Sequence, residues 1–320
     1  MNHIFGPVPS RRLGRSLGID VVPFKTCSYD CIYCQLGRTT CKTVERQEWL
    51  RGAPLLEELK PSLESCPDYI TLSGSGEPTL HAGLGDLIDR VKSATAIPVA
   101  VLTNGSLLWR ADVRRDLQHA DVVIPSLDAG DERLFQHINR SHEAIAFGQM
   151  IEGLIAFREE FKGQYWLEVF LLAGYTAVTA EVESIAAWSR RIRPDRVQLN
   201  TVARPPVESC AERVPREQLI RLARLFEPHA EVIAEYSQPQ GNHSGSSDAS
   251  RILDTLRRRP CRIEDVMAAH GLHRSEATKT LGELTYKGIV ERVAVGAELY
   301  YRAARETGTT KAGDAPEERT

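Results

Sequence analysis

The segment Val21-Val-Pro-Phe-Lys-Thr-Cys27-Ser-Tyr-Asp-Cys31-Ile-Tyr-Cys34-Gln-Leu-Gly-Arg38 sets three cysteines at C-x3-C-x2-C spacing, with Tyr33 beside the last. A short loop of this kind can point three thiolates at one centre, and thiolates favour soft metals, notably zinc and iron–sulfur clusters. A [4Fe–4S] cluster held by three cysteines keeps one iron without a protein ligand, open to a substrate or cofactor. A structural zinc site is usually closed by four ligands, and Cys41 is available as the fourth. Spacing alone leaves cluster, zinc and unligated thiols open.

Outward from this loop, strand-like and helix-like runs alternate. Leu17–Val22 reads as a strand leading into the cysteines. Further strands are expected at 69–72, 98–103, 121–127, 166–172 and 196–200, with a short closing strand at 231–236. Helical patterns lie between them at 84–91, 111–119, 144–161, 182–192 and 216–226. Strands alternating with helices of about 10 residues predict βαβ units and a parallel sheet. Six such units are fewer than the eight of a closed barrel, so a partial barrel is expected. Polar and glycine-rich residues gather at the strand ends: Ser73-Gly74-Ser75-Gly76-Glu77-Pro78, Thr103-Asn104-Gly105, Ser126-Leu127-Asp128 and Asn200-Thr201. Ligands of parallel α/β folds bind at that edge. Turn chemistry explains the glycines there better than it explains Glu77, Asn104, Asp128 and Asn200.

Residues 237–247 lack any aliphatic side chain and read as a linker. Beyond it, three helical patterns (250–258, 262–270, 275–287) and a hairpin turning near Gly296 resemble a winged helix over 248–303. The Gly/Thr/Glu-rich tail, 304–320, is expected to be disordered. Residues 248–303 carry ten Lys/Arg against eight Asp/Glu, a net of +2, weak for a module whose affinity rests on phosphate neutralisation. Nucleic acid is therefore a disfavoured partner of this unit.

The whole chain has 320 residues and a net charge of −3, which argues against nucleic acid or an anionic membrane as a bulk partner. No run approaches the ~20 apolar residues of a membrane span, and the start lacks the apolar core of a signal peptide. Seven cysteines, three of them clustered, do not make a secreted disulfide framework, so a reducing cytoplasm is expected. Cys41, Cys66, Cys210 and Cys261 are scattered and receive no assigned role. Arg11, Arg12, Arg15 and Arg204 hint at an anionic substrate, because guanidinium forks match carboxylate and phosphate geometry.

CSYDCIYC, with its aromatic beside the last cysteine, and GSGEP at the end of the next strand resemble the radical SAM superfamily, with TNG and SLDA following in the expected order. GPVPSRRLG, CSYDCIYCQLG and SGSGEPTLH are most similar to a poorly characterised group related to the tRNA wyosine-type radical SAM proteins. Those enzymes hold a second cluster on cysteines ahead of the motif, and no cysteine precedes Cys27 here. The resemblance implies an α/β partial (β/α)6 barrel over 1–236 with a small C-terminal winged-helix-like domain. It implies that Cys27, Cys31 and Cys34 ligate a [4Fe–4S] cluster whose fourth iron chelates S-adenosylmethionine. Tyr33 would pack near the adenine, and Gly74, Gly76 and Glu77 would meet the methionyl amine. Asn104, Ser126, Asp128 and, more weakly, Asn200 are implied contacts to the cofactor's polar groups. The implied activity is reductive cleavage of S-adenosylmethionine to a 5′-deoxyadenosyl radical. That radical abstracts hydrogen from an unidentified substrate, with RNA- and peptide-derived molecules among the options. The electron would come from an external flavodoxin- or ferredoxin-like reductant. The competing expectation is an iron–sulfur, redox-responsive regulator that binds nucleic acid through its C-terminal unit.

Overall fold

The computed structural model describes residues 3–50, 52–234, 249–296 and 298–304. Its first strand, β1 (Ile4–Ser10), is antiparallel to β2 (Gly14–Ile19). The sequence led only to the expectation that no long helix forms here. Pro7 and Pro9 are tolerated because β1 is the edge strand, where a missing N–H costs no ladder bond. A bulge lies between Phe5 and Val8. Gly18 is required opposite it, because a Cβ there would lie 2.0 Å from the Phe5 ring.

Two residues of β3 (Thr26–Cys27) pair in parallel with β4 (Cys41–Lys42), so the cysteine loop starts from a short ladder. The chain then runs through α1 (Gly52–Leu63), β5 (Tyr69–Leu72), α2 (Leu84–Ala94), β6 (Val99–Thr103), α3 (Ala111–Leu117) and β7 (Val122–Pro125). It continues through α4 (Glu132–Asn139), α5 (Phe147–Glu160), β8 (Gln164–Leu171), α6 (Thr179–Ile192), β9 (Arg196–Thr201), α7 (Arg216–Ala223) and β10 (Glu231–Val232). The eight-stranded sheet has the order β1-β2-β5-β6-β7-β8-β9-β10. All neighbours after β2 are parallel, as the alternating pattern predicted. Helices α1 and α4 were not expected. Of the predicted closing strand at 231–236, the described residues form a strand of two, Glu231–Val232, paired with β9.

One face of the sheet carries the main core, with Ile70, Leu72, Val99, Val101, Val123, Leu167, Val169 and Leu199 packed against Leu84, Ile88, Leu154, Phe157 and Ile185 from the helices. Leu13, Ala100, Val122, Ile124 and Trp166 form a separate small cluster. Alternate residues of the same strands thus face two apolar volumes, the expected pattern for parallel strands covered on both faces.

After residue 248 come α8 (Ala249–Arg258), α9 (Ile263–His270), α10 (Arg274–Tyr286) and the antiparallel pair β11 (Val290–Val295) and β12 (Glu298–Ala303). They enclose their own core of Ile252, Leu256, Cys261, Val266, Leu281, Leu284 and Val290. The expected linker at 237–247 and the tail beyond residue 304 lie outside the described residues. Among the described residues no helix is long and apolar enough to cross a membrane.

Candidate metal centre

Cys27 ends β3, and the chain then turns so that the Cys34 N–H reaches the Cys31 carbonyl at 3.1 Å. The three cysteines are partly exposed and unpaired. Each sulfur accepts from an N–H donor, two of them on distant segments and one, Lys25, from the start of the loop itself. Asn104 Nδ2 lies 3.6 Å from Cys27 Sγ, Asn139 Nδ2 lies 3.5 Å from Cys31 Sγ and Lys25 Nζ lies 3.2 Å from Cys34 Sγ. Burial, and then the Glu77 carboxylate, push the Cys27 thiol up to about 12. Cys31 is raised well above its usual value, first by burial and then by Cys27 and Cys34. Cys27 and Cys31 thus resist ionisation in this setting, and a bound metal ion would compensate their thiolates directly. Among the described residues no three His, Cys, Asp or Glu side chains converge on a single-ion site.

The Ser73–Glu77 turn lies in backbone contact with this loop. Lys25 N–H donates to the Ser75 carbonyl at 2.6 Å, and Glu77 N–H to the Thr26 carbonyl at 3.0 Å. A Cβ on Gly76 would sit 1.9 Å from that Thr26 oxygen, so only glycine permits the approach. Gly74 has φ +118°, a conformation that L side chains rarely adopt, and is exposed. Glu77 is only 2% exposed. Its Oε1 accepts from Thr79 N, Thr79 Oγ1 and Thr103 Oγ1, and its Oε2 accepts from Asn104 N at 2.7 Å. Burial raises its carboxyl against the pull of these hydrogen bonds.

Asn104 also donates to Ser28 Oγ at 2.9 Å and accepts from Ser106 N, so its side chain is engaged with the cysteine loop. Tyr33 stacks on Phe170 with ring centroids 4.1 Å apart, and its hydroxyl donates to Asp128 Oδ2. Asp128 is buried, and accepts as well from Asn139 Nδ2 at 2.8 Å and from Phe170 N at 3.0 Å. Burial pushes its carboxyl up to about 6 despite those bonds. Ser126 sits beyond β7, its N–H on the Thr103 carbonyl. Asn200 stands apart from the cysteines, between Arg11 Nη1 and Glu168 Oε1, each at 2.7 Å. Asn139 carries no mark in the sequence as a neighbour of a sulfur, and Lys25, though two residues before Cys27, was not singled out. Glu168, which also pairs with Arg12 at 2.7 Å, was equally invisible.

Replacing Tyr33 by Phe removes one donor to a buried carboxylate and leaves the ring stack intact. A loss of about 1–2 kcal/mol is expected, read as a lowered urea midpoint of the metal-free protein. An unchanged midpoint would show that Asp128 does not depend on this hydroxyl.

A family model described as the Radical SAM superfamily matches residues 21–188. A UPF0026 protein of Methanocaldococcus jannaschii is 37% identical over 230 residues, which cover 71% of this chain and 71% of that protein. A Brachyspira hyodysenteriae protein named GTPase Obg is 39% identical over 303 residues, 93% of this chain, yet the match spans only 45% of that longer protein. Among solved structures, a radical SAM methyltransferase from Sphaerobacter thermophilus superposes with a TM-score of 0.55 at 16% identity. That match covers 70% of this chain and 67% of the methyltransferase, and at such low identity it speaks for the fold alone.

Proposed function

Because the chain belongs to the radical SAM superfamily, we propose that it holds a [4Fe–4S] cluster on Cys27, Cys31 and Cys34 and uses S-adenosylmethionine to open a radical reaction on a substrate still to be identified. The observation that carries this reading is the trio of thiols, each met by an N–H donor: Lys25 from the loop itself, and Asn104 and Asn139 from distant segments. Such donors stabilise sulfur-borne charge and set the potential of a bound cluster. When bound, the cluster and S-adenosylmethionine would supply reductive cleavage of the sulfonium and abstraction of a substrate hydrogen atom by the 5′ carbon.

The chain's own residues orient and shield that chemistry. Asn104, Asn139 and Lys25 aim their N–H groups at the sulfurs. The Ser73–Glu77 turn presents a backbone edge, kept free of side chain at Gly74 and Gly76, for the methionyl amine. Tyr33, held flat by Phe170 and Asp128, offers a fixed aromatic wall for the adenine. Asp128 and Asn104 then act by positioning other groups, while Ser126 at the β7 end stays a candidate for direct contact. Asn200 belongs with Arg11 and Glu168, facing the substrate side. Cys41 is exposed and is left out of the ligand set, so one iron keeps an open position. A flavodoxin- or ferredoxin-like protein would deliver the electron. We read the C-terminal unit as winged-helix-like, and the relation to wyosine-type enzymes as one of sequence group, not of shared chemistry.

The test is anaerobic reconstitution with iron and sulfide, followed by S-adenosylmethionine and dithionite. Brown protein that forms 5′-deoxyadenosine is the expected result. Cluster-loaded protein that forms none, with or without cell extract, would remove the enzymatic reading. Colourless protein carrying one zinc would replace it with the structural alternative.

A further inference from the structure

The sheet is open, with β1 at one edge and β10 at the other, and the C-terminal unit touches the chain near both. Helices α8 and α9 pack on β1. Arg258 Nε donates to Asp20 Oδ2 at 2.8 Å, just beyond β2, and its guanidinium lies 5.0 Å over the Phe5 ring. On the other side, the Tyr300 hydroxyl of β12 lies 2.7 Å from the Ala203 carbonyl, two residues past β9. Between these contacts is a cavity of about 300 Å³ lined by Arg11, Arg204, Arg213 and Arg262, with Asp265 and Glu298. Four guanidinium groups against two carboxylates leave a net charge of +2.

Elsewhere this fold matches its shielded arginines with carboxylates. Arg12 meets Glu168 at 2.7 Å, Arg46 meets Asp112 at 2.9 Å as well as Asp116, and Arg258 meets Asp20. Inside the cavity Arg262 follows the same rule, 2.9 Å from Glu298 and 3.5 Å from Asp265. Arg11 and Arg204 break it. Arg11 Nη1 donates to the neutral Asn200 Oδ1 at 2.7 Å, and Arg204 Nη1 reaches the neutral Gln35 Oε1 at 3.3 Å. The Arg204 Nε is buried without a hydrogen-bond partner. Burial, and then Arg204 and Arg12, pull Arg11 down to about 10; burial, and then Arg259, lower Arg204. Shielding like charges together is costly unless an anion answers them. Two planar forks converging on one hollow suit the oxygens of a carboxylate or phosphate.

The cavity also has a direction. Gln35 directly follows the third cysteine, and Asn200, at the end of β9, joins Arg11 to Glu168. One arginine therefore reaches toward the metal loop and the other toward the strand ends. A volume of about 300 Å³ is at the small end of ligand pockets. It holds a small molecule or one end of a larger one.

We propose that this seam is the anchoring subsite of the substrate, in which Arg11 and Arg204 hold an anionic group, phosphate or carboxylate, while the remainder extends past Asn200 toward Cys34. The proposal rests on the radical reading above and names the chemical class of that reaction's substrate. The C-terminal unit then serves as one wall of the site.

Isothermal titration of the full chain at low ionic strength, with pyrophosphate in one arm and succinate in the other, tests it. One equivalent of at least one anion should bind, and Arg204→Gln should weaken it at least tenfold. Arg11→Gln should weaken it in the same direction, and it carries the comparison if the first variant does not fold. Arg90→Gln, which removes only an exposed pair with Asp86, should bind as the parent does. Tighter pyrophosphate points to a phosphorylated substrate, and tighter succinate to a carboxylated one. Binding of neither anion, or binding indifferent to both arginines, overturns the subsite. The two readings separate cleanly. If 5′-deoxyadenosine forms but no anion binds, only the seam proposal falls. If an Arg204-dependent anion binds but no 5′-deoxyadenosine ever forms, the radical reading falls.

Discussion

Cys31→Ala is expected to abolish both the colour of the reconstituted protein and the formation of 5′-deoxyadenosine, by more than about a hundredfold. Loss of an outer partner of a metal site costs about 10–100-fold, and loss of a ligand should exceed that. Cys31 is the middle of the three cysteines, and its thiol is raised by burial and by both others. It also accepts from Asn139, which ties it to Asp128. Cys27→Ala and Cys34→Ala should behave alike. Cys41→Ala, Cys66→Ala and Cys210→Ala change exposed residues and should keep the parent's iron content. Iron per chain and the visible spectrum, measured anaerobically, decide the matter. A Cys31→Ala protein that retains its cluster, or a Cys41→Ala protein that loses it, would break the three-ligand assignment.

How much of this was readable in the sequence depended on the range of the interaction. The parallel strands β5 to β9 were legible because each is an apolar run framed by turn residues, a local signal. The cysteine loop was legible because its three cysteines lie within eight residues. Strand β1 was hidden by prolines that only an edge strand tolerates. Helix α4 was hidden too, and with it Asn139, which no local pattern links to a sulfur more than 100 residues earlier. Arg11, Arg12 and Arg15 lie close together in the sequence, and the structure divides them. Arg12 pairs with Glu168, Arg15 reaches the Ser65 and Cys66 carbonyls, and Arg11 reaches Asn200 and the seam. Their side chains part because β1 and β2 turn there, and their partners lie on strands and loops that sequence spacing does not bring together.

Glu77→Ala should be the most damaging substitution outside the cysteines, because it breaks the joint between two loops. The carboxylate answers two backbone N–H groups, of Thr79 and Asn104, and two hydroxyls, of Thr79 and Thr103. The hydroxyls can rotate to other acceptors. The N–H groups cannot, and each buried donor left unmatched costs about 1–3 kcal/mol. A loss of about 2–6 kcal/mol is expected, against the roughly 5–15 kcal/mol that holds a typical domain together. Glu77→Gln should cost less, because its carbonyl can still accept while its amide opposes only one N–H. The damage should reach the metal loop. Glu77 N–H and Gly76 both abut the Thr26 carbonyl, so a loosened turn frees the residue that positions Cys27, while Asn104 loses the contact that steadies its amide near that sulfur. The urea midpoint of the metal-free protein measures the first effect without interference from iron, and iron retained after gel filtration measures the second. A Glu77→Ala midpoint within about 0.5 kcal/mol of the parent, the range of an ordinary surface change, would show that the Ser73–Glu77 turn is held by its backbone contacts alone.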